Sequence, residues 1–175
     1  LMRTFGAAPV FSLGFRPFFL AGAAFAALAV AIWALWLYGR WPGVEPVGGM
    51  LAWHRHEMPF GFAVAIIAGF LLTAVPNWTG RRGLNGWPLI GLVLVWLLAR
   101  LAWLMPIPPA LLLVLQLPFL PLLAWVLGRD LLAAGKRDNY PILLMITLLA
   151  GCQVMTLWGL ATHDDGLQRR GVLAA

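Results

Sequence analysis

The chain has 175 residues, of which 62% are hydrophobic and only 10% charged. A water-soluble domain carries about 25% charged residues, so this composition excludes one and requires an apolar solvent for most of the surface. The net charge of +6 does not point to nucleic acid, because the twelve Lys and Arg fall in short clusters between apolar runs, where they read as interfacial anchors and topology signals in a lipid bilayer. The expected fold class is all-α: a polytopic transmembrane helical bundle forming one domain, with about five spanning helices.

A first helix is expected over about residues 17–38, with Pro17 tolerated in its first turn. Its apolar run is too long for the h-region of a cleavable signal peptide. A loop rich in Gly and Pro follows. The second helix runs from near residue 51 or 59 to about 75, since Pro59 lacks an N–H and either starts the helix or kinks it. A connection with Asn77, Arg81, Arg82 and Asn85 leads to a third helix over about 87–104. Pro106, Pro108 and Pro109 break the chain before a fourth helix over about 110–127, which Pro118 and Pro121 are expected to kink. After a polar connection, a fifth helix covers about 141–161.

Arg3, Arg16, Arg81, Arg82, Arg129, Lys136 and Arg137 fall on one side of this topology, and Arg40, Arg55, Arg100, Arg169 and Arg170 on the other. Seven against five places the N-terminus in the cytoplasm. Tryptophans near the span ends, among them Trp33, Trp36, Trp41, Trp53, Trp78, Trp87 and Trp103, read as interfacial belts. The lone Cys152 excludes an intrachain disulfide and reads as a small buried hydrophobe. Leu1 at the start and an apolar stretch beginning at Val172 read as the ends of a piece of a longer protein, cut before a sixth span.

The chemistry concentrates in Trp53-His54-Arg55-His56-Glu57-Met58, at the head of the second apolar run. Ionisable groups at membrane depth are costly and demand a partner or a metal. Imidazole suits Fe, Cu and Zn, a thioether suits Cu(I), and haem takes a histidine axial ligand. His54, His56, Glu57 and Met58 are therefore candidate metal ligands, with His54 and His56 as candidate haem ligands. The i, i+2 spacing of the histidines suits two separate sites on a helix, or one site on an irregular segment. The competing reading is a cluster hydrogen-bonded to neighbouring loops. Glu57, Gly61, Ala65, Gly69 and Thr73 recur every four residues, a stripe that lets another helix approach closely. Arg100 falls on the corresponding face of the third helix, as a partner for Glu57, as a ligand for a haem propionate, or as a snorkelling anchor. His163, Asp164 and Asp165 read as a solvated loop.

Phe11-Ser12-Leu13-Gly14-Phe15-Arg16-Pro17-Phe18-Phe19, then the His54 segment, Gly61-Phe62, and Ala68 through Gly80, together resemble the NnrS family of membrane proteins. A further stretch, Lys136-Arg137 to Asn139-Tyr140-Pro141, resembles a later family segment. The resemblance implies a multi-span bacterial inner-membrane protein holding haem and copper and linked to the response to nitric oxide, which is then a small-molecule partner beside the lipid bilayer. This chain corresponds to its N-terminal portion, and the family's histidine-rich motif falls on His54, His56, Glu57 and Met58.

Two further readings follow from the residues alone. In the first, the protein is a metal-free, proton-coupled transporter with Glu57 as the proton-carrying carboxylate. In the second, it is an assembly subunit that binds other helices through Gly61, Ala65 and Gly69.

Overall fold

In a computed structural model, the structure describes residues 8–43, 45–135 and 137–175. Arg3 and Lys136, counted above among the topology signals, lie outside them. The described residues are helical or irregular, with no strand. Helix α1 is Phe15–Leu37. Helix α2 is Met50–Thr79, and α3 is Gly86–Ala102. Helix α4 is Pro109–Ala133, α5 is Tyr140–Ala161 and α6 is Asp165–Ala174. Four of these (α1, α2, α4 and α5) are long and apolar enough to cross a bilayer, while α3, at 17 residues, is a shorter apolar helix. The protein is a helical-bundle membrane protein.

Helix α2 is central. Half of its apolar window is buried inside the protein, against 17% for α1, which leaves α1 mostly facing the membrane. Helices α1 and α2 pack antiparallel along the predicted small-residue stripe. A Cβ on Gly69 would lie 2.8 Å from the Phe19 ring, and one on Gly61 would lie 2.9 Å from the Phe25 ring. On α1, a Cβ on Gly22 would meet Ala65 at 3.3 Å. At the far end the Thr73 hydroxyl accepts a hydrogen bond from the Phe15 N–H. A main core of Phe18, Phe60, Leu72, Trp96, Leu123 and their neighbours fills the bundle. A smaller cluster around Met50, Trp53, Trp103 and Leu112 closes the end that carries His54 and His56.

The prolines act differently from one another. Pro59 neither starts α2 nor breaks it. The helix already runs from Met50, and residues Glu57–Ala63 take up the missing N–H as a π segment with i→i+5 spacing. Pro118 interrupts α4, whose two parts, Pro109–Gln116 and Phe119–Ala133, flank a two-residue turn. The second part runs a little beyond residue 127, to Ala133, and carries Asp130 buried and paired with Arg81 and Arg129.

The stretch after α5 does not run outward as a connection. Asp164 caps α6 by accepting from the Leu167 N–H, and α6 folds back along α5. Gly159 and Gly171 permit this contact, since a Cβ on either would meet backbone of the facing helix within 3.0 Å. His163, Asp164 and Asp165 are exposed, as a solvated loop would be.

Trp53 and Trp103 do not join an interfacial belt. They are 1% and 0% exposed and belong to the inner cluster, whereas Trp78 and Trp87 face outward at the opposite end of the bundle.

Candidate functional site

The π segment places Glu57 and the carbonyls of Phe60 and Gly61 against α3. A widened turn loosens the regular backbone ladder and leaves carbonyls that side chains can reach. Here α3 supplies the donors. The Trp96 indole N–H donates to Gly61 O at 3.0 Å, and Arg100 Nη1 donates to Phe60 O at 2.9 Å. Gly61 also makes room for the carboxylate, since a Cβ there would lie 2.9 Å from Glu57 Oε2.

Arg100 is 5% exposed, so it does not snorkel to an interface. Its Nε lies 2.6 Å from Glu57 Oε2, and Glu57 is fully buried. Its Nη2 donates to Gln116 Oε1 at 2.6 Å, at the end of the first part of α4. The Gln116 amide in turn donates to Ala99 O, and Gln153 of α5 donates to Gln116 O at 3.2 Å. A chain of polar groups thus crosses four helices: Glu57, Arg100, Gln116, Gln153. All three guanidinium nitrogens are engaged within the protein. Of the readings the sequence offered for Arg100, this is the Glu57–Arg100 pair. The planar fork of Arg suits such simultaneous contacts.

The other oxygen of Glu57 faces His56. His56 Nδ1 lies 2.9 Å from Glu57 Oε1, and both side chains are fully buried. With Glu57 also facing the Arg100 guanidinium, its oxygens act as acceptors, which assigns the proton to Nδ1 and the lone pair to Nε2. Phe60 and Trp103 flank the ring at centroid distances of 4.9 and 5.3 Å. His56 Nε2 is buried and has no protein partner. Buried polar atoms without partners are uncommon, and each calls for an explanation.

His54 goes elsewhere. Its ring stacks on Trp33 of α1, with centroids 4.3 Å apart and planes 16° apart, and Trp33 stacks on Trp36 at 5.1 Å. Its Nδ1 is also buried without a partner. Met58 packs against the Met50–Trp53–Trp103 cluster. The four candidate ligands therefore do not converge. Two positions apart on a helix, His54 and His56 point to different flanks, and Glu57 is committed to His56 and Arg100. Among the described residues no group of three or more His, Cys, Asp or Glu could hold a metal ion. Gln116 and Gln153 were not among the sequence candidates. Each is an uncharged polar residue within a long apolar run, a signal that would have singled them out.

The sequence pattern of the NnrS protein family matches residues 9–175, nearly the whole chain. The chain belongs to the NnrS family. No curated protein and no solved structure matches it. This NnrS-family chain carries the quoted His54–Met58 motif on the first two turns of α2 and the start of its π segment, at the end of the bundle where the buried polar chain begins.

Proposed function

We propose that this chain is part of a haem- and copper-dependent membrane protein of the bacterial response to nitric oxide, with His56 as the imidazole that holds the metal centre. One observation carries the reading. The His56 ring is fully buried, its Nδ1 is held by a carboxylate, and its Nε2 has no partner. Metal-ligating histidines typically donate their second ring N–H to a carboxylate, which sets the tautomer and orients the ring. The donor set fits a group that takes one imidazole from this chain, as a haem iron does. It does not fit a closed cage of His54, His56, Glu57 and Met58. A haem iron or copper ion bound there would supply the centre at which nitric oxide is held.

The chain's own residues do the rest. Glu57 accepts a hydrogen bond from Nδ1–H, which leaves Nε2 free. Arg100 holds Glu57 in place, and Gln116 with the Phe60 carbonyl keeps Arg100 oriented. Phe60 and Trp103 exclude water from the imidazole. Both oxygens of Glu57 are engaged, which favours a positioning role over the proton-carrying role of a transporter. In this reading the protein sits in the bacterial inner membrane with its N-terminus in the cytoplasm, and the His56 end of the bundle lies toward the outer face.

The test is Fe and Cu analysis with visible spectra of the purified full-length parent protein and of this chain, each as wild type, His56→Ala and His54→Ala. Loss of bound haem or copper in His56→Ala, with retention in His54→Ala, is expected. Retention of both metals in His56→Ala overturns the assignment. A colourless, metal-free parent overturns the function.

A further inference from the structure

The Arg81–Arg82 motif is not used by the His56 site. It lies at the opposite end of the bundle, where α1 begins, α2 ends and the connection to α3 passes. There the structure has a cavity of about 400 Å³. Its polar walls come from Asn77, Arg81, Arg82 and Asn85, and its aliphatic walls include Leu13 and Leu84. Among the described residues no carboxylate lines it. Asp130, which pairs with Arg81, is already taken. Its Oδ1 accepts from Arg81 Nε at 3.2 Å and from Arg129 Nε at 3.1 Å. That contact fixes Arg81 by its Nε and leaves its two terminal nitrogens free to donate. Arg82 makes no hydrogen bond or ion pair among the described residues. Two arginines thus line the cavity, with no acid among its described lining residues.

We propose that this cavity binds the phosphate headgroup of an anionic phospholipid. A phosphate is the shared chemistry of a lipid headgroup and a free anion, and two features favour the lipid. The exposed Trp78 and Trp87 beside the cavity mark headgroup depth. The mixed polar and aliphatic lining suits a phosphate joined to a glycerol backbone and the start of its acyl chains. Basic pockets between transmembrane helices are a recurring means of recognising lipid headgroups. Arg82 and the terminal nitrogens of Arg81 would donate to the phosphate oxygens, Asn77 would reach the glycerol oxygens, and Asp130 would hold Arg81 in position.

The experiment measures phosphatidylglycerol binding to the full chain in a neutral detergent by native mass spectrometry. Arg82→Ala is compared with Arg82→Lys and with Arg170→Ala, an exposed arginine on α6. Each basic residue near a headgroup contributes roughly fivefold in affinity. Arg82→Ala is expected to weaken phosphatidylglycerol binding about fivefold, with Arg82→Lys close to wild type and Arg170→Ala unchanged. Phosphatidylcholine and millimolar inorganic phosphate are expected not to displace the bound lipid. Equal binding by wild type and Arg82→Ala overturns the proposal, as does equal loss in Arg170→Ala. Displacement by inorganic phosphate overturns the lipid assignment and leaves a free-anion site.

Discussion

Glu57 and Asp130 are both buried carboxylates held by arginine, yet they are different kinds of site. Glu57 is fully buried and its partner Arg100 is 5% exposed, whereas Asp130 is held by Arg81 and Arg129, whose side chains are 44% and 48% exposed. At the Asp130 end the cations reach the surface of the protein, so the pairs behave as surface ion pairs that salt screens. At the Glu57 end, neither ion reaches water, and each depends on the other and on Gln116, Phe60 O and His56 for its solvation. A single pairing motif therefore anchors a helix end in one place and builds a buried polar network around His56 in the other. The difference is set by burial and not by residue type.

The sharpest way to break this comparison is to remove one partner at each end. Arg100→Leu strands a buried carboxylate and should cost about 3–5 kcal/mol of stability. This is measurable by reversible unfolding in mixed micelles. The double variant Arg100→Leu with Glu57→Gln should recover most of that loss, since no uncompensated charge remains. If the double variant is no better than the single, the pair is not the source of the effect. Gln116→Leu removes one acceptor from Arg100 and leaves a buried donor unmatched, for an expected loss of about 1–3 kcal/mol in the same assay. Arg81→Ala should cost at most about 1 kcal/mol, because Arg129 remains on Asp130. Its effect should shrink further in high salt, while that of Arg100→Leu should not. An Arg81→Ala loss as large as that of Arg100→Leu would show that the Asp130 end is as dry as the Glu57 end.

Much of the bundle was legible because lipid imposes simple demands on sequence. Long uncharged runs mark the helices, and the Gly61–Ala65–Gly69 stripe marks the face that α1 approaches. The Glu57–Arg100 pair was legible only as one of three readings, since helical periodicity puts Arg100 on the face toward Glu57 but equally allows it to snorkel. The π segment was not. Pro59 announces a lost N–H, but whether a helix starts, kinks or widens there depends on what receives the freed carbonyls, and Trp96 and Arg100 come from another helix. Nor was the separation of the two histidines. Helical periodicity sends His54 and His56 to different flanks, but only their neighbours make one a stacked ring on Trp33 and the other a carboxylate-held ring with a bare nitrogen.

The sequence by itself determined the solvent, the helices and the places where polarity is costly, because these follow from transfer free energies and local periodicity. Which polar group satisfies which was decided by the tertiary structure, because a buried hydrogen bond is a choice among partners from different helices. Gln116 and Gln153 complete the network around Arg100, and nothing local to either residue specifies that contact.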